Sequence, residues 1–241
     1  INSCEEIMKK PTIEPLRCFI DKYGFDISEV DKVVCGAKYS ALLLKNGNIG
    51  VCANLSHNVV TTIDYLKNLD LNRVEHRIVL NAYFNGRLNY SNCSTKTGDI
   101  FDVIDFKNYK NIIMIGLFRP LLKKFREKNI NITVFDRNKK SSYLTDLALE
   151  MRYVSEADAV ILSSTAIFNK SFLNIVNNTK RFCDVFLLGP SSIVNKEMLK
   201  YRNVKKLFGA VFSKGDERVL DVIEHGGGTK EFLPLGEKIY I

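Results

Sequence analysis

The sequence of 241 residues lacks any apolar run approaching the roughly 18 residues that a membrane-spanning helix requires, and it shows no signal peptide. It also lacks Cys-x-x-Cys pairs, because its six cysteines are scattered along the chain. Scattered cysteines in a chain of this size, without a secretory leader, favour reduced thiols. We therefore expect a cytoplasmic protein that has no membrane partner.

The sequence also has few residues that could form a dedicated metal site. Its three histidines, His57, His76 and His225, lie far apart, and no pair of cysteines accompanies them. Structural zinc sites usually draw their ligands from closely spaced cysteines and histidines. The sequence therefore predicts no dedicated zinc site, and His57 is the single candidate metal ligand that it offers.

The chain carries a formal net charge of +8, which favours an anionic partner. Its basic residues are dispersed in short patches such as Lys123-Lys124 and Lys205-Lys206. A long basic run or a basic strip interleaved with aromatic residues, either of which would favour nucleic-acid binding, is absent. We therefore expect a small anionic ligand rather than a nucleic acid.

Short apolar runs between residues 111 and 211 are the clearest structural signal in the sequence. Most segments between them have helical patterns, and strands that alternate with helices predict a parallel sheet, because parallel neighbours cannot be joined by a tight turn. In such sheets ligands bind outside the carboxyl ends of the strands. We therefore expect functional residues in the loops that follow the runs. The runs cover residues 112–115, 132–135, 159–162, 185–188 and 207–211.

The first part of the sequence predicts an antiparallel hairpin accompanied by helices. Apolar residues 33–44 and 49–53 flank Lys45-Asn46-Gly47-Asn48, and Asn-Gly supplies the positive φ values of a hairpin turn. A helix is predicted within residues 4–23, where Pro11 and Pro15 must break or start it. Helices are also predicted at residues 57–69 and 74–84, followed by a turn at Asn85-Gly86.

The polar, turn-rich stretch of residues 89–98 predicts a domain boundary. We expect a small α+β domain over residues 1–97. An α/β domain is expected over residues 98–241, with a mostly parallel sheet flanked by helices.

The loop after the first run contains Gly116, Phe118, Arg119 and Pro120. Proline suits the first turn of a helix, where free amides and the Arg119 guanidinium could receive an anion. A solvated arginine beside an ordinary strand–helix turn explains the same residues. The Gly-x-Gly-x-x-Gly pattern of dinucleotide sites is absent, since only Gly116 is present.

Asp136 ends the second run, twenty residues after Gly116. In nucleotide-binding α/β folds, an acid at that offset hydrogen-bonds a ribose hydroxyl. The alternative interpretation is an exposed aspartate that caps a loop.

Hydroxyl groups gather after the third and fourth runs. Ser163-Ser164-Thr165 follows the third run, with Asn169 and Ser171 before the next helix, and Gly189-Pro190-Ser191-Ser192 follows the fourth. Helix capping explains Asn169 or Ser171 but does not explain the triplet. Polar loops at one edge of a sheet predict the wall of a pocket.

A hydrolase is not predicted, although Ser191, Asp221 and His225 follow the chain order of an α/β-hydrolase triad. The nucleophile elbow requires Gly-x-Ser-x-Gly, whereas Ser192 and Ile193 follow Ser191. The glycines after His225 also come later than the serine, whereas an oxyanion loop precedes it. These glycines predict a flexible turn or a close backbone approach.

At these same segments the sequence resembles the "putative heavy-metal chelation" family, two-domain proteins of bacteria and archaea without an established activity. Residues 115–121 resemble its Gly-x-Phe-x-Pro-Leu signature, and Asp136 stands where the family usually has an acid. Residues 164–171 resemble its Thr-x-x-x-x-Asn-x-Thr stretch, with Ser171 replacing the usual threonine. Residues 188–191 resemble its Gly-Pro-Ser turn, and residues 36–41 and 80–85 resemble its companion domain.

The resemblance implies an enolase-N-terminus-like domain followed by a Rossmann-like domain, with a site in the cleft between them. It also implies a role in heavy-metal chelation near anaerobic tetrapyrrole or cobalamin metabolism. Together with the strand-end loops, it predicts a ligand site formed by Asn81, Asn85, Gly116, Phe118, Arg119, Pro120, Asp136, Ser164, Thr165, Asn169, Gly189, Pro190 and Ser191.

The sequence leaves three functions open. The first is binding of a small anionic or metal-linked metabolite, in which a heavy-metal ion is held by side-chain oxygens, amides and His57, with the ligand supplying part of the coordination. The second is an enzyme that binds an adenosine-containing cofactor, a nucleotide or S-adenosylmethionine, through Gly116, Asp136 and residues 163–165. The third is a non-catalytic binding or carrier protein.

Overall fold

The computed structural model describes residues 13–91 and 94–241. The helices are α1 (Pro15–Tyr23), α2 (Val74–Leu88), α3 (Ile100–Val103), α4 (Arg119–Glu127), α5 (Glu150–Glu156), α6 (Thr165–Phe168), α7 (Phe172–Asn178), α8 (Glu217–Glu224) and α9 (Thr229–Phe232). The strands are β1 (Val30–Cys35), β2 (Tyr39–Leu44), β3 (Ile49–Ala53), β4 (Lys96–Thr97), β5 (Ile112–Ile115), β6 (Thr133–Phe135), β7 (Ala159–Ser163), β8 (Asp184–Leu188), β9 (Val204–Phe212) and β10 (Gly236–Tyr240).

Within these described residues, seven strands form a large sheet in the order β4-β10-β9-β8-β7-β5-β6. The five strands from β9 to β6 are parallel, and β10 and β4 continue the sheet in antiparallel fashion. Each of the five apolar runs becomes one of the parallel strands, because such runs suit strands that are buried on both faces. The predicted mostly parallel sheet flanked by helices is confirmed.

A separate hairpin sheet consists of β1, β2 and β3, which pair antiparallel in that order. The predicted hairpin between β2 and β3 is confirmed, but the apolar run of residues 33–44 is divided into two strands. The amide of Gly36 donates a hydrogen bond of 2.8 Å to the carbonyl of Tyr39, which reverses the chain. A Cβ atom at Gly36 would lie 1.7 Å from the carbonyl oxygen of Ile223, so only glycine lets α8 pack against this turn.

Helix α2 runs straight through Asn85-Gly86, so the predicted turn there is wrong. The reason is packing against β3: a Cβ atom at Gly50 would lie 1.9 Å from the carbonyl oxygen of Ala82. Gly86 faces Gly50 across this contact, and the two glycines let helix and strand backbones touch. Tertiary contact therefore overrides the local turn signal.

The other helix predictions are partly correct. Residues 57–62 are not helical, and only a 3-10 helix (Ile63–Asn68) forms within the predicted stretch of residues 57–69. Pro15 begins α1, in agreement with the prediction that proline must break or start this helix. The part of the predicted helix before residue 13, including Pro11, lies outside the described residues. None of the helices in the described residues is both long and apolar enough to cross a membrane.

The hairpin sheet is covered on both faces. Helix α2 packs against β2 and β3, and its apolar residues join a core that continues into β7 and β8 of the large sheet. On the opposite face, Ala41 and Val51 pack with Val219 and Ile223 of α8 and with Phe232 of α9. The division at residues 97 and 98 stays a prediction, and one core extends across it.

Three asparagines, two on one face of α2 and the third at its C-cap, connect the hairpin sheet to the loop that follows β8. Asn81 donates a hydrogen bond of 2.8 Å to the carbonyl of Ser191. Asn85 donates to the carbonyls of Pro190 and Ser192 at 2.9 and 2.8 Å, and Asn89 also donates to Ser192 at 3.0 Å. We call these residues the asparagine ladder, since they recur every four positions and therefore share one face of the helix.

Substitution of Asn85 by alanine should strongly destabilise the fold. The side chain is fully buried, and its carboxamide oxygen also accepts the amide of Val51 at 3.2 Å. Its loss leaves the carbonyl of Pro190 and the amide of Val51 unpaired, whereas the carbonyl of Ser192 keeps its hydrogen bond from Asn89. At about 1–3 kcal/mol for each unpaired group, we expect the free energy of unfolding to fall by about 2 kcal/mol or more in urea titrations. Asn108→Ala, at an exposed position, is the control, and an equally small effect of both variants would contradict the ladder.

Candidate functional site

The site lies where the strand order of the large sheet reverses. The chain leaves β5 for β6 on one side and then returns to β7 on the other side, so a crevice opens between the carboxyl ends of β5 and β7. Open α/β sheets bind ligands at such a point. Here the crevice is part of a cleft of about 740 Å³ that the hairpin sheet covers from the opposite side.

Gly116 forms the base of this crevice at the end of β5. Its φ of +96° is a conformation that glycine adopts without steric cost. A Cβ atom here would lie 2.6 Å from the Cβ atom of Ser163, at the end of β7. The two strand ends therefore approach so closely that only glycine fits between them.

Asp136 connects the loops that follow β5 and β6 through hydrogen bonds. Its Oδ2 accepts the amide of Leu117 at 2.6 Å, and its Oδ1 accepts the amides of Asn138 and Lys139 at 2.8 and 2.9 Å. Lys139 Nζ donates in turn to the carbonyl of Leu117 at 2.7 Å. Asp136 lines the cleft, but both of its carboxylate oxygens already hold backbone amides.

Hydroxyl and amide side chains line the β7 side of the cleft. Ser163 Oγ and Thr165 Oγ1 lie 2.9 Å apart and are hydrogen-bonded to each other. Asn169 Oδ1 accepts the amide and the hydroxyl of Ser171 at 3.0 and 2.6 Å. These four residues all line the cleft and offer neutral hydrogen-bonding groups to a ligand.

Phe118 and Arg119 stand at the entrance, where α4 begins. Phe118 is the N-cap residue and has no side-chain cap, and Arg119 is the first helical residue and is exposed. The first amides of a helix have no partners within the helix, and the helix dipole favours negative charge there. Both residues line the cleft, whereas Pro120 is exposed outside it.

The opposite wall comes from segments that sequence reasoning missed. The turn of residues 37–39, the end of β3 with residues 55 and 56, and residues 228–231 all reach the cleft. Lys38 and Lys230 add positive charge from this side, and Glu231 Oε2 accepts the amide of Gly228 at 2.7 Å. These residues come together only through tertiary packing, so no local pattern marks them.

Arg137 and Glu150 form a second missed element of the site. Glu150 begins α5, is only 2% exposed, and accepts a hydrogen bond of 2.8 Å from Arg137 Nη2 at its Oε1. Arg137 directly follows Asp136 at a strand end, so its position in the sequence could have indicated it. Glu150 lies in a stretch without a strand-end signal.

Several predicted site residues serve the fold instead of lining the cleft. Asn81 and Asn85 belong to the asparagine ladder, and Pro190 supplies one of its acceptor carbonyls. Ser191 is buried, and its Oγ accepts the amide of Ala53 at 2.9 Å. Ser164 is buried and donates to the carbonyl of Leu188, beside Gly189.

The cleft does not fit direct binding of a soft heavy-metal ion. Such ions prefer thiolate and imidazole ligands, yet none of the described residues that line the cleft is Cys or His. His57 is exposed outside the lining. Burial raises the pKa of the Cys52 thiol above its usual range, and it raises the pKa of the Cys183 thiol to about 12. In the described part of the chain, no group of three or more His, Cys, Asp or Glu residues could hold a metal ion.

The fold and the site together define a class of two-part α/β proteins. In this class the cleft lies at the switch point of a mostly parallel sheet, and a small antiparallel unit covers the cleft. Within that class, a family model described as "Putative heavy-metal chelation" (DUF364) matches residues 99–241, and the chain belongs to this family. No curated protein matches the chain.

Two solved structures of the same family share the fold. A protein of unknown function from Pyrococcus horikoshii has 22% identity and a TM-score of 0.75, over 88% of this chain and 92% of its own. A protein of unknown function from Desulfitobacterium hafniense has 16% identity and a TM-score of 0.69, over 94% of this chain and 96% of its own. Identities this low support a shared fold, and they do not assign an activity to this chain.

Gly116→Ala should destabilise the protein through steric overlap with Ser163. Gly215 is the control, because it also has a positive φ, of +70°, but no atom lies within 4 Å of a Cβ atom placed there. Both variants bear conformational strain, and only Gly116→Ala adds overpacking of about 1–3 kcal/mol. We expect that difference between their free energies of unfolding, and equal losses would contradict the close approach of the strand ends.

Proposed function

We propose that this protein binds a small organic anion in the cleft between the hairpin sheet and the large sheet. The observation that most supports this proposal is the charge of the residues that line the cleft, because their cations outnumber their carboxylates. The cations are Lys38, Arg119, Arg137, Lys139 and Lys230, and the carboxylates are Asp136, Glu150 and Glu231. A cleft with an excess of one charge attracts ligands of the opposite charge.

The carboxylates of the lining are engaged in internal contacts, whereas two of its cations are exposed at the cleft. Asp136 is occupied by backbone amides, and Glu150 is paired with Arg137. Arg119 and Lys38 are exposed at the cleft, where their charges can meet a ligand. A guanidinium beside a helix start suits a carboxylate or phosphate group, because the helix amides and the planar fork can both donate to it.

In this proposal a heavy-metal ion is cargo that enters with the organic anion. The lining offers hydroxyl, amide and carboxylate oxygens, and these are poor partners for a soft metal on their own. An anion that already chelates the metal would supply most of the coordination. The family description and the oxygen-rich cleft are then compatible.

An adenosine-containing cofactor is the competing ligand. The cleft lies at the switch point that such cofactors use, which supports it. Against it, the carboxylate oxygens of Asp136 accept three backbone amides, whereas a ribose-binding acid must receive the ribose hydroxyls. We therefore favour an organic anion and assign no reaction to the site.

Native mass spectrometry of anaerobically purified protein tests the proposal. We expect a co-purifying organic anion, with or without a metal ion, that is displaced by added citrate. A bound adenosine compound would instead support the enzyme alternative. Metal that persists after citrate displacement, without any organic ligand, would contradict the proposal.

Arg119→Ala should weaken binding of citrate in calorimetric titrations. Hydrogen bonds to charged groups contribute about 1.5–3 kcal/mol, so we expect a loss of affinity of roughly ten- to hundredfold. Arg119→Lys should recover part of the affinity, because the ammonium keeps the charge without the planar fork.

The control for this series is Arg181→Ala, which removes an exposed arginine that does not line the cleft. All three variants should melt near the wild-type temperature, since exposed substitutions usually change stability by less than about 0.5 kcal/mol. Unchanged citrate affinity in Arg119→Ala, together with a clear drop in melting temperature, would assign Arg119 a structural role instead.

A further inference from the structure

We infer that Glu150 makes the cleft selective for hydroxylated organic anions, by accepting a hydrogen bond from a ligand hydroxyl. This inference rests on the proposed function and adds a substrate class to it. Glu150 Oε2 is the atom that carries the selectivity, and the cations around the cleft carry the affinity for the anion.

Glu150 Oε2 is a buried acceptor without a partner among the described residues. The side chain is 3% exposed, its Oε1 is held by Arg137, and its Oε2 has no hydrogen bond. An unsatisfied buried polar atom lowers the stability of the folded state by about 1–3 kcal/mol, and by more when it is charged. Native structures therefore contain few such atoms, and each one calls for an explanation. Glu150 is among the residues that line the cleft, so it borders the space that a ligand would occupy.

The surroundings of Glu150 select a neutral donor over a cation. Arg137 already neutralises the carboxylate through Oε1, and Lys139 and Arg119 line the same cleft. A ligand ammonium group would face these like charges, whereas a hydroxyl group donates its proton without adding charge. A metal ion fits no better, since the described residues provide no cluster of three or more carboxylate, imidazole or thiol groups.

The ligand must then carry both an anionic group and a hydroxyl group. Arg119 and the start of α4 suit the anionic group, and Glu150 suits the hydroxyl. Ser163 and Thr165 lie at the carboxyl end of β7 and can donate to, or accept from, further hydroxyls. Hydroxycarboxylates and hydroxylated phosphate esters share this chemistry.

Two matched pairs of probes test the inference by calorimetric titration. Citrate and tricarballylate differ only in one hydroxyl, and glycerol 3-phosphate and propyl phosphate differ in two. We expect the wild-type protein to bind the hydroxylated member of at least one pair at least about tenfold more tightly, since tenfold is near the lower end of what one charge-assisted hydrogen bond contributes. The pair that responds identifies the anionic group as carboxylate or phosphate.

Glu150→Met removes the acceptor and keeps the side-chain length. This variant should bind both members of the pair equally, and its affinity for the deoxy member should persist or rise, because Arg137 loses its internal partner. Glu150→Gln keeps the shape and an acceptor for Arg137, so an intermediate preference is expected. Glu156→Gln on the same helix, where the side chain is 59% exposed, should behave as wild type.

Wild-type protein that binds both members of each pair equally would overturn the role of Glu150, while the anion-binding proposal would stand. Persistence of the preference in folded Glu150→Met would overturn it as well. If no probe binds at all, both the proposed function and the role of Glu150 that rests on it are contradicted.

Discussion

The asparagine ladder is the constraint on which the rest of the structure depends. Its buried carboxamides bind the carbonyls of residues 190–192 and hold the hairpin sheet over the carboxyl edge of the large sheet. Arg77 on the same helix adds a second link, since its buried guanidinium donates to the carbonyls of Ile167 and Phe168 at the end of α6. Together with the shared apolar core, these links fix the hairpin residues that complete the cleft opposite the large sheet.

The sequence predicts the large sheet well and the site only in part. Buried parallel strands need continuous apolar runs, so β5 to β9 are visible without tertiary information. Asn81 and Asn85 were expected in the site because the resemblance pointed to them, and they hold its walls together instead. Glu150 and Lys38 could not be found, because only packing of distant segments brings them to the cleft.

The chemistry of the cleft qualifies the family description. The described lining is rich in oxygen donors and cations and contains neither thiol nor imidazole groups, so the protein's own contribution to metal binding would be small. A hydroxylated anion that binds Arg119 through its charged group would account for the excess of positive charge. Its hydroxyl group, donating to Glu150, would account for the unpaired carboxylate oxygen. Both features follow from one ligand chemistry, and neither is expected of a cleft that coordinates a bare ion.

Hydrogen–deuterium exchange with and without citrate tests the central claim, that one cleft between the two sheets binds the anion, most directly. Binding slows exchange where the ligand orders the backbone. We predict protection at residues 116–121, 136–139 and 163–171 together with residues 228–231 from the opposite wall, and none at residues 100–108 on a different part of the surface. Protection confined to one wall, or found mainly at residues 100–108, would contradict the account.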